Sequence, residues 1–250
     1  GALTVKKIYL YIVIVYIITQ FSSFVGIPLF RFISHQIGIT GTQANLYAAA
    51  YWTIFSFTLA LFIILLLLRK EFTLPADSVR NSSKSSVGNS ILWALGGIIL
   101  AFYAQSFSAM IEMALGIKVG SQNTQLFVSI IAQVPLFALV TSIIGPILEE
   151  IVFRKIIFGE LHKRWNFFYS ALISSIIFGA AHMEFTHIIN YTLMGFTFAF
   201  LYAKTKRIIV PIIAHVMMNS IVVFMHLYKD EILKFIDKLQ QSTSFIGGLL

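Results

Sequence analysis

Three groups of polar residues interrupt hydrophobic segments of this chain, and their chemical types suit hydrolysis. They are Glu149 and Glu150 with Arg154, then Phe178 with His182, then His215 with Asn219. Carboxylates and imidazoles can transfer protons, and amides can donate hydrogen bonds to a developing negative charge. Each ionisable group placed within apolar surroundings is a candidate functional residue, because burying it there is costly.

The first group predicts a division of labour between two adjacent carboxylates. On a helix, Glu150 and Arg154 are four residues apart and share a face. Glu149 points about 100° away from Glu150, because each helical residue turns by that angle. We therefore expect Arg154 to hold Glu150, while Glu149 faces a cavity. The alternative is that the group marks the solvated end of a membrane span.

The other two groups are pairs at i and i+4, so the members of each pair share a helix face. The small residues before His182 (179–181) allow a second helix to approach closely. A single histidine in a membrane helix is more often a structural hydrogen-bonding residue. Three helices that each carry catalytic-type groups favour one shared site instead. Four further residues near span ends are interpreted as interfacial, without a functional role: Glu112, Glu184, His187 and His226.

The composition identifies the elements that must position these residues. Of the 250 residues, 58% are hydrophobic and 11% charged, against about 25% charged in an ordinary globular protein. This excludes a soluble enzyme, a disordered chain and a simple secreted domain. The absence of cysteine excludes disulfides, a thiolate nucleophile and a cysteine zinc site. The net charge of +8 indicates a cytoplasmic membrane face here, and no nucleic-acid partner is expected.

The chain is predicted to be an all-α polytopic membrane bundle, because several apolar segments reach the roughly 20 residues that a span needs. Seven such spans are expected, with six to eight possible: 8–30, 44–68, 91–111, 119–148, 165–183, 185–203 and 208–228. In a second parsing the fourth helix starts at Pro135 and runs to Leu161, which places Glu149 near its middle. Lys155 would then snorkel. One transmembrane domain is predicted over 1–250, with N-terminal helices in 1–115 and a catalytic core in 135–228.

The basic residues predict the orientation in the cell membrane. Of the 18 lysines and arginines, 13 lie inside and five outside if the N-terminus is cytoplasmic. This favours a cytoplasmic N-terminus and an extracellular C-terminus. The serine-rich stretch 77–90 is interpreted as a cytoplasmic loop. The amphipathic tail 229–250 is placed at the interface or as an eighth segment.

The order of the three groups resembles the CPBP family, the CAAX proteases and bacteriocin-processing enzymes, also called the type II CAAX prenyl endopeptidase or Abi family. The resemblance covers about 135–228 and extends to members from Gram-positive bacteria. It implies an intramembrane endopeptidase acting on a membrane-associated peptide or protein, with some members linked to peptide pheromones or bacteriocins. It implies a substrate-binding role for Phe178 and catalytic roles for Glu149, Glu150, Arg154, His182, His215 and Asn219.

Two mechanisms fit these residues. In the preferred one no metal is required: Glu149 activates a water, His182 holds it, and His215 and Asn219 donate to the oxyanion. In the alternative, zinc binds Glu149, His182 and His215, since two histidines and one glutamate form a catalytic ligand set. Either mechanism requires these residues in one cavity, with Glu149 and His182 less than about 8 Å apart. The cavity is expected to open laterally or toward the basic residues, which are Lys155, Lys163, Arg164, Lys204 and Arg207.

Other classes fit the sequence less well. No His-Glu-x-x-His motif or Gly-x-Ser-x-Gly elbow occurs, and the three aspartates lie outside the predicted spans. Two non-enzymatic functions stay open. One is a transporter with a buried Glu/His/Arg relay, which predicts an internal repeat that the sequence does not show. The other is a non-catalytic scaffold or immunity protein of the same fold.

Overall fold

A computed structural model describes residues 2–71 and 83–247, and over these residues the chain forms nine helices and no strand. The predicted all-α fold is confirmed. The helices are α1 (Ala2–Gln36), α2 (Gly41–Glu71), α3 (Val87–Ala114), α4 (Gln122–Gln133), α5 (137–162), α6 (Phe167–Ala181), α7 (Ile188–Thr205), α8 (Ile209–Leu227) and α9 (Lys229–Gly247). A 3₁₀ turn, Phe185–His187, precedes α7.

Four helices are long and apolar enough to cross a membrane: Val5–Gln36, Gly41–Glu71, Val87–Ala114 and Ile209–Leu227. At 1.5 Å per residue even the shortest, with 19 residues, is about 28 Å long. Their outward faces are apolar, as Phe24 shows with 76% of its surface exposed. The chain is therefore a polytopic membrane bundle, as predicted. The total of seven spans stays a prediction, since α6 is apolar but has only 15 residues.

The predicted span 119–148 is wrong, because two helices occupy this segment. Helix α4 ends at Gln133, and α5 begins at Phe137. Pro135 offers no backbone N–H to continue α4, and it disfavours a helical conformation at Val134, which has φ −130° and ψ 82°. The second parsing describes the structure, and Glu149 lies in the middle of α5.

Helix α5 contains two π-helical segments. It is α-helical at Phe137–Leu139, π-helical at Val140–Ile144, α-helical at Gly145–Glu149, π-helical at Glu150–Phe158 and α-helical again at Gly159–His162. The wider π turns alter where side chains point and which carbonyls are bonded, and they occur frequently at functional sites. The second π segment starts at Glu150, directly after the first of the two adjacent carboxylates.

Small residues bring α6 and α7 into close contact, as the sequence predicted for the segment before His182. A Cβ atom at Gly179 would lie 2.8 Å from the Ile188 side chain. A Cβ atom at Gly195 would lie 2.9 Å from that of Ser175. Both separations are too short for a side chain, so glycine at these positions sets the distance between the two helices.

Polar contacts join several helices at one end of the bundle. There, Arg207 Nε donates to the carbonyl of Ser85, just before α3 begins. At the same end Lys155 Nζ lies 3.4 Å from Glu71, which also accepts a 2.7 Å bond from the Tyr9 hydroxyl. Lys155 therefore pairs with a buried carboxylate of α2 rather than only extending to the interface. This end is called the basic end below.

The structure describes parts of the predicted loop and tail, and their placement relative to the membrane stays a prediction. Residues 77–82 of the predicted loop lie outside the described residues. Ser86 caps α3, its hydroxyl accepting a 3.2 Å bond from the Asn89 amide, so the helix already begins within the predicted loop. The tail forms α9, and its described side chains are exposed except for the half-buried Ile232.

Candidate active site

Helices α5, α6 and α8 bring Glu149 together with two histidines. Glu149 Oε1 lies 3.9 Å from His182 Nε2, and Glu149 Oε2 lies 3.7 Å from His215 Nε2. The Glu149 side chain is 20% exposed, whereas that of Glu150 is fully buried. The predicted proximity of Glu149 and His182 is confirmed, and so is the predicted difference between the two carboxylates.

Glu150 is held from two sides. Arg154 Nε lies 3.3 Å from Glu150 Oε2, and His215 Nδ1 lies 2.7 Å from Glu150 Oε1. The first contact is the predicted ion pair. The second was not predicted, and it orients the His215 ring so that its other nitrogen faces Glu149.

The tautomers of the two histidines follow from these contacts. A carbonyl oxygen only accepts hydrogen bonds, so the 2.8 Å contact with the Phe178 carbonyl places a hydrogen on His182 Nδ1. Likewise, His215 Nδ1 donates to the carboxylate of Glu150. In the neutral rings both Nε2 atoms are then acceptors, and both face the Glu149 carboxylate. Acceptors that converge in this way require a donor or a cation between them, such as a water, an additional proton or a metal ion.

Arg154 is enclosed by aromatic rings. Its guanidinium carbon lies 4.0 Å from the centre of the Phe178 ring and 5.3 Å from that of Phe198. Only 1% of the residue is exposed, and neither Nη atom has a hydrogen-bond partner among the described residues. A desolvated cation over an aromatic face gains about 2 kcal/mol. Arg154 therefore depends on Glu150 and on these two rings.

Asn219 and Phe178, the remaining predicted site residues, make different contacts. Asn219 Nδ2 donates a 3.2 Å bond to the carbonyl of Thr141, in the first π segment of α5. This bond uses one of the two amide hydrogens and leaves the second available. Phe178 is only 2% exposed, with its ring against Arg154 and 4.5 Å from that of His182. Its substrate-binding role stays a prediction.

One cavity of about 450 Å³ contains Glu149, His182, His215 and Asn219 in its lining. The N-terminal helices, which the sequence indicated only as spans, supply a large part of the wall. Their lining residues are Tyr16, Thr19, Gln20 and Ser23 of α1, Trp52, Thr53, Ser56 and Phe57 of α2, and Gln105 of α3. The site is therefore enclosed by helices from both halves of the chain.

The cavity extends toward the end of the bundle opposite the basic end. Ser121 and His187 belong to its lining, and His187 lies where α7 begins, 2.7 Å from Glu112 near the end of α3. This differs from the predicted opening toward the basic residues. The reason is that His182 lies at the C-terminal end of α6, where the α3–α4 and α6–α7 loops meet. A lateral opening stays a prediction.

Sequence reasoning missed the support of His182. The ring of Tyr191 stacks on the ring of His182 with centres 4.1 Å apart, and the Tyr191 hydroxyl donates a 2.7 Å bond to Glu184. Glu184 also accepts bonds from the Ser121 hydroxyl and the Gln122 amide. Burial raises the pKa of the Glu184 carboxyl, but these hydrogen bonds lower the pKa more, so that it lies below its ordinary value.

A second carboxylate, Glu112, contacts residues of the α3–α4 and α6–α7 loops, as Glu184 does. Glu112 accepts hydrogen bonds from His187 Nδ1 at 2.7 Å and from the backbone N–H of Asn190 at 3.1 Å. His187 Nε2 contacts the Gly120 carbonyl. Glu112, Glu184 and His187 are thus structural residues of the site, not merely interfacial ones. The sequence signal for these structural roles was two carboxylates at the ends of apolar segments, with histidine and tyrosine nearby. It did not identify their partners, which are far away in sequence.

We expect Tyr191→Ala to lower kcat by up to about 100-fold, because misplacing a catalytic group by about 1 Å can have that effect. Tyr191→Phe retains the stacked ring and should recover most of that loss. The measurement is the rate of peptide cleavage, with the thermal melting of each variant recorded beside it. Tyr103→Ala, at an exposed tyrosine of α3, is the control. Equal activity of the Ala and Phe variants would contradict a positioning role for the ring.

The zinc alternative requires ligand atoms at a defined separation. Zinc ligands lie about 2.0–2.2 Å from the ion, so two ligand atoms in a tetrahedral site are about 3.4 Å apart. The contacts of 3.7 and 3.9 Å are slightly longer. As placed, no three His, Cys, Asp or Glu side chains in the described part of the chain are close enough to hold a metal ion. Even so, Phe178 and Glu150 orient the histidines in the way that second-sphere partners of a metal do.

The fold and the site together define a polytopic membrane protein with a buried glutamate–histidine centre, and comparison with known proteins identifies its family. Residues 131–221 match the family described as Type II CAAX prenyl endopeptidase Rce1-like. The chain is 47% identical over 248 residues to "Putative membrane peptidase YdiL" of Bacillus subtilis (strain 168), covering 98% of this chain and 99% of the relative. It is 34% identical over 241 residues to "Membrane-embedded CAAX protease MroQ" of Staphylococcus aureus (strain USA300), covering 94% of each.

This chain belongs to the Rce1-like type II CAAX prenyl endopeptidase family, a family of membrane proteases. The predicted membership, including the similarity to Gram-positive members, is confirmed. A weaker relative is "UPF0177 protein YxdF" of Lactococcus lactis subsp. lactis (strain IL1403), 24% identical over 56% of this chain and 80% of the relative. No solved structure matches the chain.

Proposed function

We propose that this protein is an intramembrane endopeptidase that hydrolyses membrane-associated peptides or proteins with a water activated by Glu149. The observation that supports it best is the position of Glu149, whose carboxylate faces a cavity between the Nε2 atoms of His182 and His215. A water between these acceptors donates to Glu149 and to one imidazole, and its lone pairs then face the cavity.

The proposed reaction has two proton transfers. Glu149 takes a proton from the water as the water oxygen attacks the carbonyl carbon of the scissile bond. The second amide hydrogen of Asn219 stabilises the oxyanion that forms. Glu149 then returns the proton to the leaving nitrogen as the C–N bond breaks. His215 can donate to the oxyanion from Nε2 only as an imidazolium, because in the neutral ring its single N–H, on Nδ1, is directed at Glu150.

The proposed substrates are membrane-associated peptides in an extended conformation, a class that includes precursors of peptide pheromones and of bacteriocins. A helical peptide shields its scissile bonds, so the bound segment must be unwound. Comparing membrane peptides by mass spectrometry from cells with and without the gene would identify the substrate. The purified protein should then cleave that peptide at the same bond. A protein that transports the peptide, or one that only binds it, would leave its mass unchanged.

Metal dependence has a direct test. We expect cleavage by the purified protein to persist after treatment with a strong zinc chelator, because the proposed mechanism requires only Glu149 and water. The measurement is the initial rate before chelation, after it and after zinc is added back. Loss of activity on chelation and its recovery with zinc would instead support zinc held by Glu149, His182 and His215. The ion would then activate the water as a Lewis acid.

A further inference from the structure

Three side-chain amides in the cavity have unused hydrogen-bonding capacity. Gln20 of α1, Gln105 of α3 and Asn190 of α7 line the same cavity as Glu149. Gln20 is exposed, and Gln105 and Asn190 are half-buried. Their backbone groups are bonded, but among the described residues none of the three side-chain amides has a hydrogen-bond partner.

Several other polar side chains of the cavity have partners. The hydroxyls of Thr19, Ser23, Thr53 and Ser56 each donate to a carbonyl three or four residues earlier in their own helix. Hydroxyl groups commonly satisfy themselves in this way within a helix. The amide of Asn123 donates to the carbonyl of His182. The hydroxyls of Tyr16 and Thr124 also line the cavity and likewise have no hydrogen-bond partner among the described residues. The three amides differ from these hydroxyls in carrying a C=O acceptor and an NH₂ donor on one planar group.

We propose that Gln20, Gln105 and Asn190 bind the backbone of the extended substrate peptide, which rests on the function proposed above. The three amides come from three different helices and line one cavity together with Glu149, so together they can bind a polar ligand. Each amide offers both a donor and an acceptor. This combination matches a peptide group, which has one N–H and one C=O, better than it matches an anion or a cation.

The chemistry of unwinding explains why such groups are needed. In a bilayer a peptide satisfies its N–H and C=O groups internally by forming a helix. Unwinding it around the scissile bond removes those hydrogen bonds in a place where little water is present. The cavity of about 450 Å³ suits a short extended segment rather than a helix, whose diameter with side chains is about 10–12 Å. The amides would replace the hydrogen bonds that the unwound residues lose.

The test is a steady-state comparison of Gln20→Met, Gln105→Met and Asn190→Leu with the native protein, using one cleaved membrane peptide. Losing one neutral hydrogen bond of about 0.5–1.5 kcal/mol should raise KM by about 2- to 13-fold. We expect kcat to change much less, because these residues do not contact the reacting atoms. Gln133→Met is the matched control, since Gln133 is an exposed glutamine outside the cavity.

A second measurement changes the substrate as well as the protein. A substrate that is N-methylated at residues flanking the scissile bond has no N–H groups there to donate hydrogen bonds to the amide oxygens. Its KM should therefore be higher than that of the unmodified peptide. The triple variant should not distinguish methylated from unmodified peptide. An unchanged KM in every variant and with the methylated peptide would overturn the inference and would mean that water solvates the amides. The proposed cleavage activity would not be affected by that result. Absence of cleavage by the native protein would overturn the proposed function and this inference together.

Discussion

Glu149→Gln is expected to abolish peptide cleavage and to leave the fold intact. Glutamine fills the same space but cannot take the proton from water, and loss of a general base lowers the rate by about 10²- to 10⁴-fold. The basic groups within 4.0 Å of its carboxylate among the described residues are His215 and His182, at 3.7 and 3.9 Å, so no short ion pair is lost. The measurements are kcat for a cleaved peptide and the melting temperature in the same detergent.

Glu160→Gln is the matched control for this variant. Glu160 lies near the end of α5 and pairs with the exposed Lys163 at 2.6 Å, away from the cavity lining. The Glu160→Gln protein should cleave the peptide at the native rate. Native-like cleavage by the Glu149→Gln protein would contradict the proposed role of Glu149. A large drop in its melting temperature would show that Glu149 is instead required for folding.

Arg154→Met is expected to lower both stability and activity. The substitution retains an apolar stem between Phe178 and Phe198 but leaves Glu150 as a buried carboxylate without its cation. Removing one partner of a buried ion pair costs about 3–5 kcal/mol. Activity should fall as well, because Glu150 also orients His215 toward Glu149. The free energy of unfolding and kcat would be measured on the same preparations.

A double variant separates the ion pair from general packing. Adding Glu150→Gln to Arg154→Met removes the unpaired carboxylate, so part of the lost stability should return. Arg164→Met, at an exposed arginine of the basic end, is the control and should behave like the native protein. If Arg154→Met and Glu149→Gln melt at the same temperature as the native protein, the proposed division between a structural and a catalytic carboxylate is wrong.

The sequence alone was sufficient for the features that depend on composition and local spacing. The scarcity of charge required a membrane bundle, because so few charged residues cannot cover a soluble surface. The spacing of four residues placed Arg154 beside Glu150, and the 100° turn per residue directed Glu149 elsewhere. The break at Pro135 was available as an alternative parsing. The first feature follows from composition, and the others follow from the geometry of a single helix, which residues close together in the sequence determine.

Only the tertiary structure decided how the groups support one another. The Glu150–His215 and Glu184–Ser121 bonds join residues 65 and 63 positions apart, and no local periodicity encodes such pairs. Tyr191 stacks on His182 where Gly179 and Gly195 let α6 and α7 approach closely. The wall formed by α1, α2 and α3, and the end toward which the cavity extends, depend on how whole helices pack. Packing depends on the fit between distant helix faces, and a linear sequence does not specify which faces meet.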